Sequence, residues 1–306
     1  MSALDARLLD EAKQGLLTVR DLVRFAVSRL HAAGVFFGHG FPDAPTEAEY
    51  LVGWALDLPP GTPGAYADAR VLPSERDRAL ALLVRRVDER VPAAYLTGEA
   101  WLGEFRFRSD ARAIVPRSFI ADLLPDALET WLPDAEAVED VLDLCTGSGC
   151  LAILAAIHYP DARVTGLDLS PDALALAKEN IADYGLADRV RVVESDLFAA
   201  LGSERFDLIL YNPPYVDAPA MASLPPEYRH EPVMALASGP DGLDFVRRLL
   251  RASRRRLKPR GVLVVEVGHN AAVLEQAFPN LAFTWLETHA GPRHVFLMTR
   301  DDLPDG

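Results

Sequence analysis

The chain predicts a two-part α/β protein. A helical N-terminal region precedes a largely parallel sheet that is covered on both faces and closed by an antiparallel hairpin. Over residues 16–30, Leu16, Leu17, Val19, Leu22, Val23, Ala26, Val27 and Leu30 recur with a period close to that of an α-helix. From Asp140 onward, short apolar runs alternate with helical patterns, as parallel strands joined by crossover helices require. A length of 306 residues allows two domains and a sizeable core.

The first stretch, Met1-Ser2-Ala3-Leu4-Asp5-Ala6-Arg7, alternates charge within a helical pattern and lacks the basic-then-apolar order of a signal peptide. The helix over 16–30 has Thr18 as its N-cap, with Asp21 in the place of the usual capping-box acid. A second helix spans 46–58 and stops at Pro59-Pro60-Gly61. A third starts at Ser74, with Asp77 supporting it, and reaches Arg90 before Pro92. These helices make a small bundle without evident chemistry, which suits a scaffold or a partner-binding surface. Over 95–116, Tyr95, Trp101, Phe105, Phe107, Ile114 and Val115 alternate with polar residues and glycines, the pattern of a hairpin. The boundaries are then 1–94 for a helical substrate- or partner-binding domain, 95–116 for a connecting hairpin and 117–306 for the catalytic half.

In that half the strands fall at 141–145, 163–169, 190–194, 206–211, 261–267, 283–288 and 294–299. Helices fall between them at 149–158, 171–184 with Ser170 as N-cap and Pro171 at its first position, 241–258 ended by Pro259 and Gly261, and 271–278. Ala290-Gly291-Pro292 links the last two strands.

Composition narrows the class. Half the residues are hydrophobic and a quarter charged, which is ordinary for a globular protein in water. No apolar run reaches the roughly 18 residues of a membrane helix. The two cysteines, Cys145 and Cys150, are too few for a disulfide framework and read as small packing residues, so a reducing cytoplasm is expected. No Cys/His cluster has zinc spacing, and no metal is expected. A net charge of −14 favours basic partners and argues against a free nucleic-acid substrate.

Chemistry concentrates where strands end. Asp143-Leu144-Cys145-Thr146-Gly147-Ser148-Gly149-Cys150 turns the first strand of the sheet into its first helix. There Gly147 and Gly149 allow close backbone approach to a ligand. Asp168 ends the second strand, where a carboxylate can accept from both hydroxyls of a ribose. Asp196 follows the third and suits an adenine amino group. The glycines also fit a dinucleotide fingerprint formally. Three features favour S-adenosylmethionine over a nicotinamide: Asp143, placed to bond a methionine amino group, Asp196, and the Asn212-Pro213-Pro214-Tyr215 tetrapeptide after the fourth strand. Two consecutive prolines stiffen that tetrapeptide and remove two donors. It presents an amide, a free carbonyl and an aromatic ring, a set that suits holding a planar NH2 group of glutamine, adenine or cytosine.

At these residues the chain resembles the HemK-like protein glutamine N5-methyltransferase family, a branch of the class I, Rossmann-like S-adenosylmethionine methyltransferases. The resemblance runs from the helical domain to the end of the chain. It implies cofactor contacts at Asp143, Cys145, Thr146, Gly147, Gly149, Asp168, Leu169, Asp196, Leu197 and Asn212, and catalysis by Asn212, Pro213, Pro214 and Tyr215. The tetrapeptide is shared with amino-methylating DNA enzymes. Other segments resemble the branch acting on ribosomal protein three of the large subunit: Ile114-Val115-Pro116-Arg117-Ser118, Glu227-Tyr228-Arg229-His230-Glu231-Pro232, the run from Ala235 to Leu243, and Phe36-Phe37-Gly38-His39-Gly40. Relatives carry Pro and Glu where this chain has Phe119 and Asp122. The implied partner is that ribosomal protein, with neither a membrane nor a nucleic acid. A release-factor glutamine, a nucleobase amine, a nicotinamide reaction and a non-catalytic assembly role remain alternatives.

In the implied mechanism, the Asn212 side-chain oxygen and the Pro213 carbonyl accept the two N–H protons of the substrate amide, and Tyr215 packs on the amide plane. No general base is evident in the tetrapeptide. His39 reads as a loop residue, and His230 either lines the substrate mouth or makes a turn contact. The basic run 247–260 reads as a solvated helix face.

Overall fold

A computed structural model describes residues 4–124 and 126–305. The chain divides into two compact units, Met1–Ala100 with Pro225–His230, and Trp101–Leu224 with Glu231–Gly306.

Among the described residues the first unit holds five α-helices: α1 (Ala6–Gly15), α2 (Val19–Ala32), α3 (Ala44–Ala55), α4 (Pro73–Asp88) and α5 (Ala93–Thr97). The helical pattern read at the N-terminus becomes α1 from Ala6. Residues 1–3 of that stretch lie outside the described residues. Asp5 caps α1 by accepting from the Leu8 N–H at 2.8 Å. At α2 the capping box forms as expected: the Asp21 N–H donates to Thr18 Oγ1 at 3.2 Å, and the Thr18 N–H donates to Asp21 Oδ2 at 2.9 Å. Two starts differ from the expectation. α3 begins two residues early because Asp43 accepts from the Thr46 N–H at 2.9 Å, so Thr46 is an ordinary helical residue. α4 begins at Pro73, whose ring presets the first helical φ, and Glu75, not Asp77, accepts the Leu72 N–H at 2.7 Å. Leu22, Ala26 and Leu30 of α2 pack with Ala48, Leu51 and Val52 of α3 and Leu80 and Leu83 of α4 in one apolar core. Each large aliphatic side chain so buried contributes about 1.5–3 kcal/mol.

A charged network is sealed into this unit. Arg86 is 0% exposed. Its Nε donates to Glu47 Oε1 at 2.6 Å, its Nη1 to Glu227 Oε1 at 3.3 Å and its Nη2 to the Phe36 carbonyl at 2.8 Å. Glu227 also accepts from Arg90 at 3.2 Å and from the Phe36 N–H at 3.1 Å. Two histidines singled out in the sequence lie here. His39 is buried against the Tyr228 ring, with centroids 4.5 Å apart, and His230 Nε2 lies 2.9 Å from the Glu89 carbonyl.

A hairpin of β1 (Glu99–Leu102) and β2 (Phe105–Arg108) begins at the unit boundary. Tyr95, expected within it, lies on α5. The second unit continues with α6 (Ile120–Leu123), β3 (Asp140–Leu144), α7 (Cys150–His158), β4 (Arg163–Asp168), α8 (Pro171–Asp183), β5 (Val190–Glu194), β6 (Phe206–Tyr211), α9 (Ala218–Met221), α10 (Asp244–Ser253), β7 (Leu257–Glu266), α11 (Ala271–Ala277), β8 (Thr284–Thr288) and β9 (Gly291–Thr299). The seven-stranded sheet has the order β5-β4-β3-β6-β7-β9-β8. The first five strands in that order run parallel, and β9 pairs antiparallel with both β7 and β8.

Alternate residues feed the two faces. Val141, Leu208, Val262 and Val264 pack with α7, while Leu142, Ile209, Leu263 and Val265 pack with α10 and α11. The strands are apolar on both sides, as a sheet buried on both faces requires.

One boundary departs from expectation for a clear reason. The helix expected to run to Lys258 ends at Ser253 and continues as a 3-10 turn, Arg254–Arg256. β7 starts at Leu257 and carries Pro259 and Gly261 through a register shift opposite Phe206 and Leu208, with Arg260 at a φ of +68°. Proline and glycine there mark a bulge at the start of a strand, not the end of a helix. The final hairpin is also tighter than expected, since Thr288 pairs with Gly291. Part of the basic run is paired within the unit. Arg247 pairs with Asp241, Arg248 with Asp196 at 2.8 Å, and Arg254 donates to the Leu303 carbonyl at 2.7 Å.

Candidate active site

The chain builds outward from β3 to β4 and β5, then returns to place β6 on the other side of β3. Strand order reverses between β3 and β6, and the crevice beyond their carboxyl ends is the natural ligand site of such a sheet. Leu144 and Tyr211 are register partners, so the glycine loop after β3 and the tetrapeptide after β6 leave the sheet side by side.

The loop is held from beneath. Asp143 is fully buried, and its Oδ2 accepts from the Thr146 hydroxyl and from the Ala152 N–H at 3.0 Å. Its Oδ1 has no partner among the described residues. Burial pushes the Asp143 carboxyl up to about 7. The folded state therefore holds a proton between the ordinary carboxylate range and pH 7 that the unfolded chain gives up. This group's contribution to stability is full at acid pH and lost as pH rises to about 7. Asp143→Asn is expected to abolish that part of the pH dependence, and urea midpoints at a series of pH values check it.

Cys145 takes a left-handed φ of +55°, which turns the chain off the strand. The Gly147 N–H donates to Asp168 Oδ2 at 2.9 Å and the Ser170 N–H to Asp168 Oδ1 at 2.9 Å, so the loop after β3 fixes the carboxylate that ends β4. The two glycines do different work. Gly147 faces the cavity, and a Cβ there meets nothing closer than 4.0 Å. Gly149, expected to give room to a ligand, does not line the cavity. It starts α7 at a φ of +81°, and a Cβ would lie 3.1 Å from the Ala177 Cβ on α8. Gly149→Ala is expected to cost roughly 1–2 kcal/mol from the backbone alone, and more than Gly147→Ala. Urea unfolding of the two variants tests that order.

The cavity wall has two kinds of surface. Asp168, Ser170, Ser195 and Asp196 supply polar groups, and Leu169, Leu197, Met234 and Phe245 supply apolar ones. Of the residues singled out in the sequence, Cys145, Gly147, Asp168, Leu169, Asp196, Leu197, Asn212 and Pro214 line it. Asp143, Thr146, Gly149, Pro213 and Tyr215 do not; the first two support the loop. Burial raises the Asp168 carboxyl, opposed by the N–H donors of Ser170 and Gly147. Asp196 lines the cavity while paired with Arg248.

The Asn212 amide and the Pro213 carbonyl have no hydrogen-bond partner among the described residues. Tyr215 is held away from the cavity wall. Its hydroxyl donates to Glu266 Oε1 at 3.2 Å, and its carbonyl accepts from Asn270 Nδ2 at 2.6 Å.

Segments flanking the tetrapeptide in the sequence meet in the structure. Glu231 is buried and accepts from Arg117 Nη2 at 2.7 Å and from the Val115 N–H at 2.9 Å. This joins the strand-end segment carrying Ile114 to the one carrying Pro232 and Met234, all three on the cavity wall. Phe119 donates its N–H to Glu266 at 2.9 Å, a bond that a proline at this position has no hydrogen to make. Sequence reasoning missed Arg112, Phe245 and Glu266. Glu266 had a signal, since it is a lone acid ending the apolar run 262–265. Arg112 and Phe245 had none.

Comparison with known proteins identifies the family. Residues 21–98 match the PrmC N-terminal domain, and residues 122–224 match the methyltransferase small domain. The chain is 53% identical to the ribosomal protein uL3 glutamine methyltransferase of Neisseria gonorrhoeae, over 97% of this chain and 99% of the relative. Identity to the Bordetella pertussis protein of the same name is 54%, over 95% and 98%. It is 47% for the Xanthomonas campestris protein, over 95% and 94%. Among solved structures, the hMettl16 catalytic domain in complex with a MAT2A 3′UTR hairpin superposes with a TM-score of 0.51 at 16% identity, covering 76% of this chain and 84% of that one, a likeness of fold alone. With identity near one half sustained along almost the whole of both chains, the protein belongs to the ribosomal protein uL3 glutamine methyltransferase family.

Proposed function

We propose that this enzyme transfers the methyl group of S-adenosylmethionine to the side-chain amide nitrogen of a glutamine in ribosomal protein uL3. The observation that carries the reading is the unpartnered Asn212 amide beside a wall bearing two strand-end carboxylates. The donor set fits the cofactor. Asp168 retains lone pairs for ribose hydroxyls, Asp196 for an amino group, and Leu169, Leu197 and Phe245 offer apolar surface for a purine. When bound, S-adenosylmethionine supplies a methyl group activated by positive sulfur.

The protein's own part is orientation and charge placement. An amide nitrogen is a weak nucleophile because its lone pair is delocalised into the carbonyl. The Asn212 side-chain oxygen and the Pro213 carbonyl accept its two N–H protons. Those bonds strengthen as positive charge grows on nitrogen. Alignment then carries much of the rate. The proton passes to solvent water after transfer, since the tetrapeptide contributes no basic side chain to take it. Among the described residues no helix is long and apolar enough to cross a membrane, and the cytoplasm, where ribosomal protein is made, is the proposed place of action.

The test is incubation with labelled S-adenosylmethionine and, separately, uL3, release factors, DNA and RNA, followed by mass mapping of the labelled peptide. Label on a uL3 glutamine is expected. Label only in a release factor or in nucleic acid overturns the substrate assignment.

A further inference from the structure

The tetrapeptide is a stiff arm, because Pro213 and Pro214 fix two of its φ angles. Its near end is set by β6, where Tyr211 pairs with Val265 of β7. Its far end is Tyr215, and the same strand β7 supplies one of the groups that hold it. Glu266, the last residue of β7, is 2% exposed and accepts from the Tyr215 hydroxyl at 3.2 Å, the Ser118 hydroxyl at 2.7 Å and the Phe119 N–H at 2.9 Å. Gly268 lies under the ring, where a Cβ would come within 2.7 Å of the Tyr215 Cε2. Asn270 Nδ2 donates to the Tyr215 carbonyl at 2.6 Å. Gly242 closes the cradle, since a Cβ there would lie 2.5 Å from that carbonyl and 2.4 Å from Asn270 Nδ2. Ring, hydroxyl and carbonyl of one residue are each fixed by a separate group.

We propose that Glu266 and Asn270 are positioning residues for methyl transfer. They clamp Tyr215, and through the rigid Pro-Pro arm they set the direction in which Asn212 and the Pro213 carbonyl face the acceptor amide. Tyr215 then acts as the anchor of the arm. The inference rests on the preceding reading that Asn212 holds the acceptor amide.

The experiment compares Glu266→Gln, Tyr215→Phe, their double variant and Asn270→Ala in the full chain. It reads kcat and KM on uL3, S-adenosylhomocysteine affinity by calorimetry, and the 19F resonance of Tyr215 after 3-fluorotyrosine labelling. Each single variant is expected to lose about 10-fold in kcat, as a small misplacement of reacting groups does, with cofactor-product affinity within about twofold. The double variant is expected to be no worse than the poorer single, because both alter the same Tyr215–Glu266 hydrogen bond, Glu266→Gln by removing its charge and Tyr215→Phe by removing the hydroxyl. Tyr215→Phe removes only a hydroxyl, so its reading survives should Glu266→Gln fold poorly. Wild-type kcat in the single variants, or losses that multiply in the double, overturn the proposal. Should the wild-type protein methylate no glutamine, the functional reading fails, and the 19F signal still decides the clamp. A shift in both Glu266→Gln and Asn270→Ala supports it, and an unmoved resonance overturns it.

Discussion

Asn212→Ala is expected to lower kcat on uL3 by about 100- to 1,000-fold, the loss typical when one preorganised partner of developing charge is removed. The Asn212 amide makes no hydrogen bond to the protein among the described residues, so its removal leaves no buried partner stranded. Fold and cofactor affinity should therefore change little. Calorimetry with S-adenosylhomocysteine and single-turnover methyl transfer separate the two effects. Asn212→Asp provides the sharper contrast. It keeps an acceptor oxygen in place but adds a negative charge beside Asp168 and Asp196, and it should recover part of the rate lost in alanine. Near-wild-type turnover in Asn212→Ala would remove this residue from the mechanism.

Arg86→Met is expected to be the most destabilising single change, costing about 3–5 kcal/mol, the usual result of stripping one partner from a buried ion network. Arg86 is 0% exposed and holds Glu47, Glu227 and the Phe36 carbonyl at once. Methionine fills much of the volume but leaves the Glu47 carboxylate and the Phe36 carbonyl without their donor, while Glu227 keeps Arg90 and the Phe36 N–H. Urea unfolding followed by far-UV circular dichroism checks the value, and a loss below about 1 kcal/mol would contradict it. Adding Glu47→Gln to Arg86→Met should return part of the stability by removing the stranded charge.

Much of the fold was legible because its signals are local. Thr18 with Asp21, Ser170 with Pro171, and the apolar runs of β3, β4, β5 and β6 each announce themselves within a few residues, and each forms where expected. The misreadings share a cause. Pro259 and Gly261 read locally as a helix stop, whereas the pairing of β7 with β6 absorbs them as a bulge, and no local pattern carries that information. Gly149 looked like ligand clearance, but the requirement comes from Ala177 on another helix. The candidate site divides along the same line. That Asp168, Asp196 and Asn212 share one cavity wall was legible because strand ends converge in a parallel sheet. The partners of Tyr215, Glu266 and Asn270, were not legible, because they lie some fifty residues further on.

The assignment of Pro225–His230 to the first unit has a consequence for the order in which the molecule is made. A ribosome releases the five helices long before it reaches Glu227. Until then the nascent bundle carries Arg86 with only part of its charge partners, and its core closes around an incomplete set. A truncated chain ending at residue 100 should therefore be less stable than the same helices in the finished protein, and adding a peptide of residues 225–230 in trans should recover part of the difference.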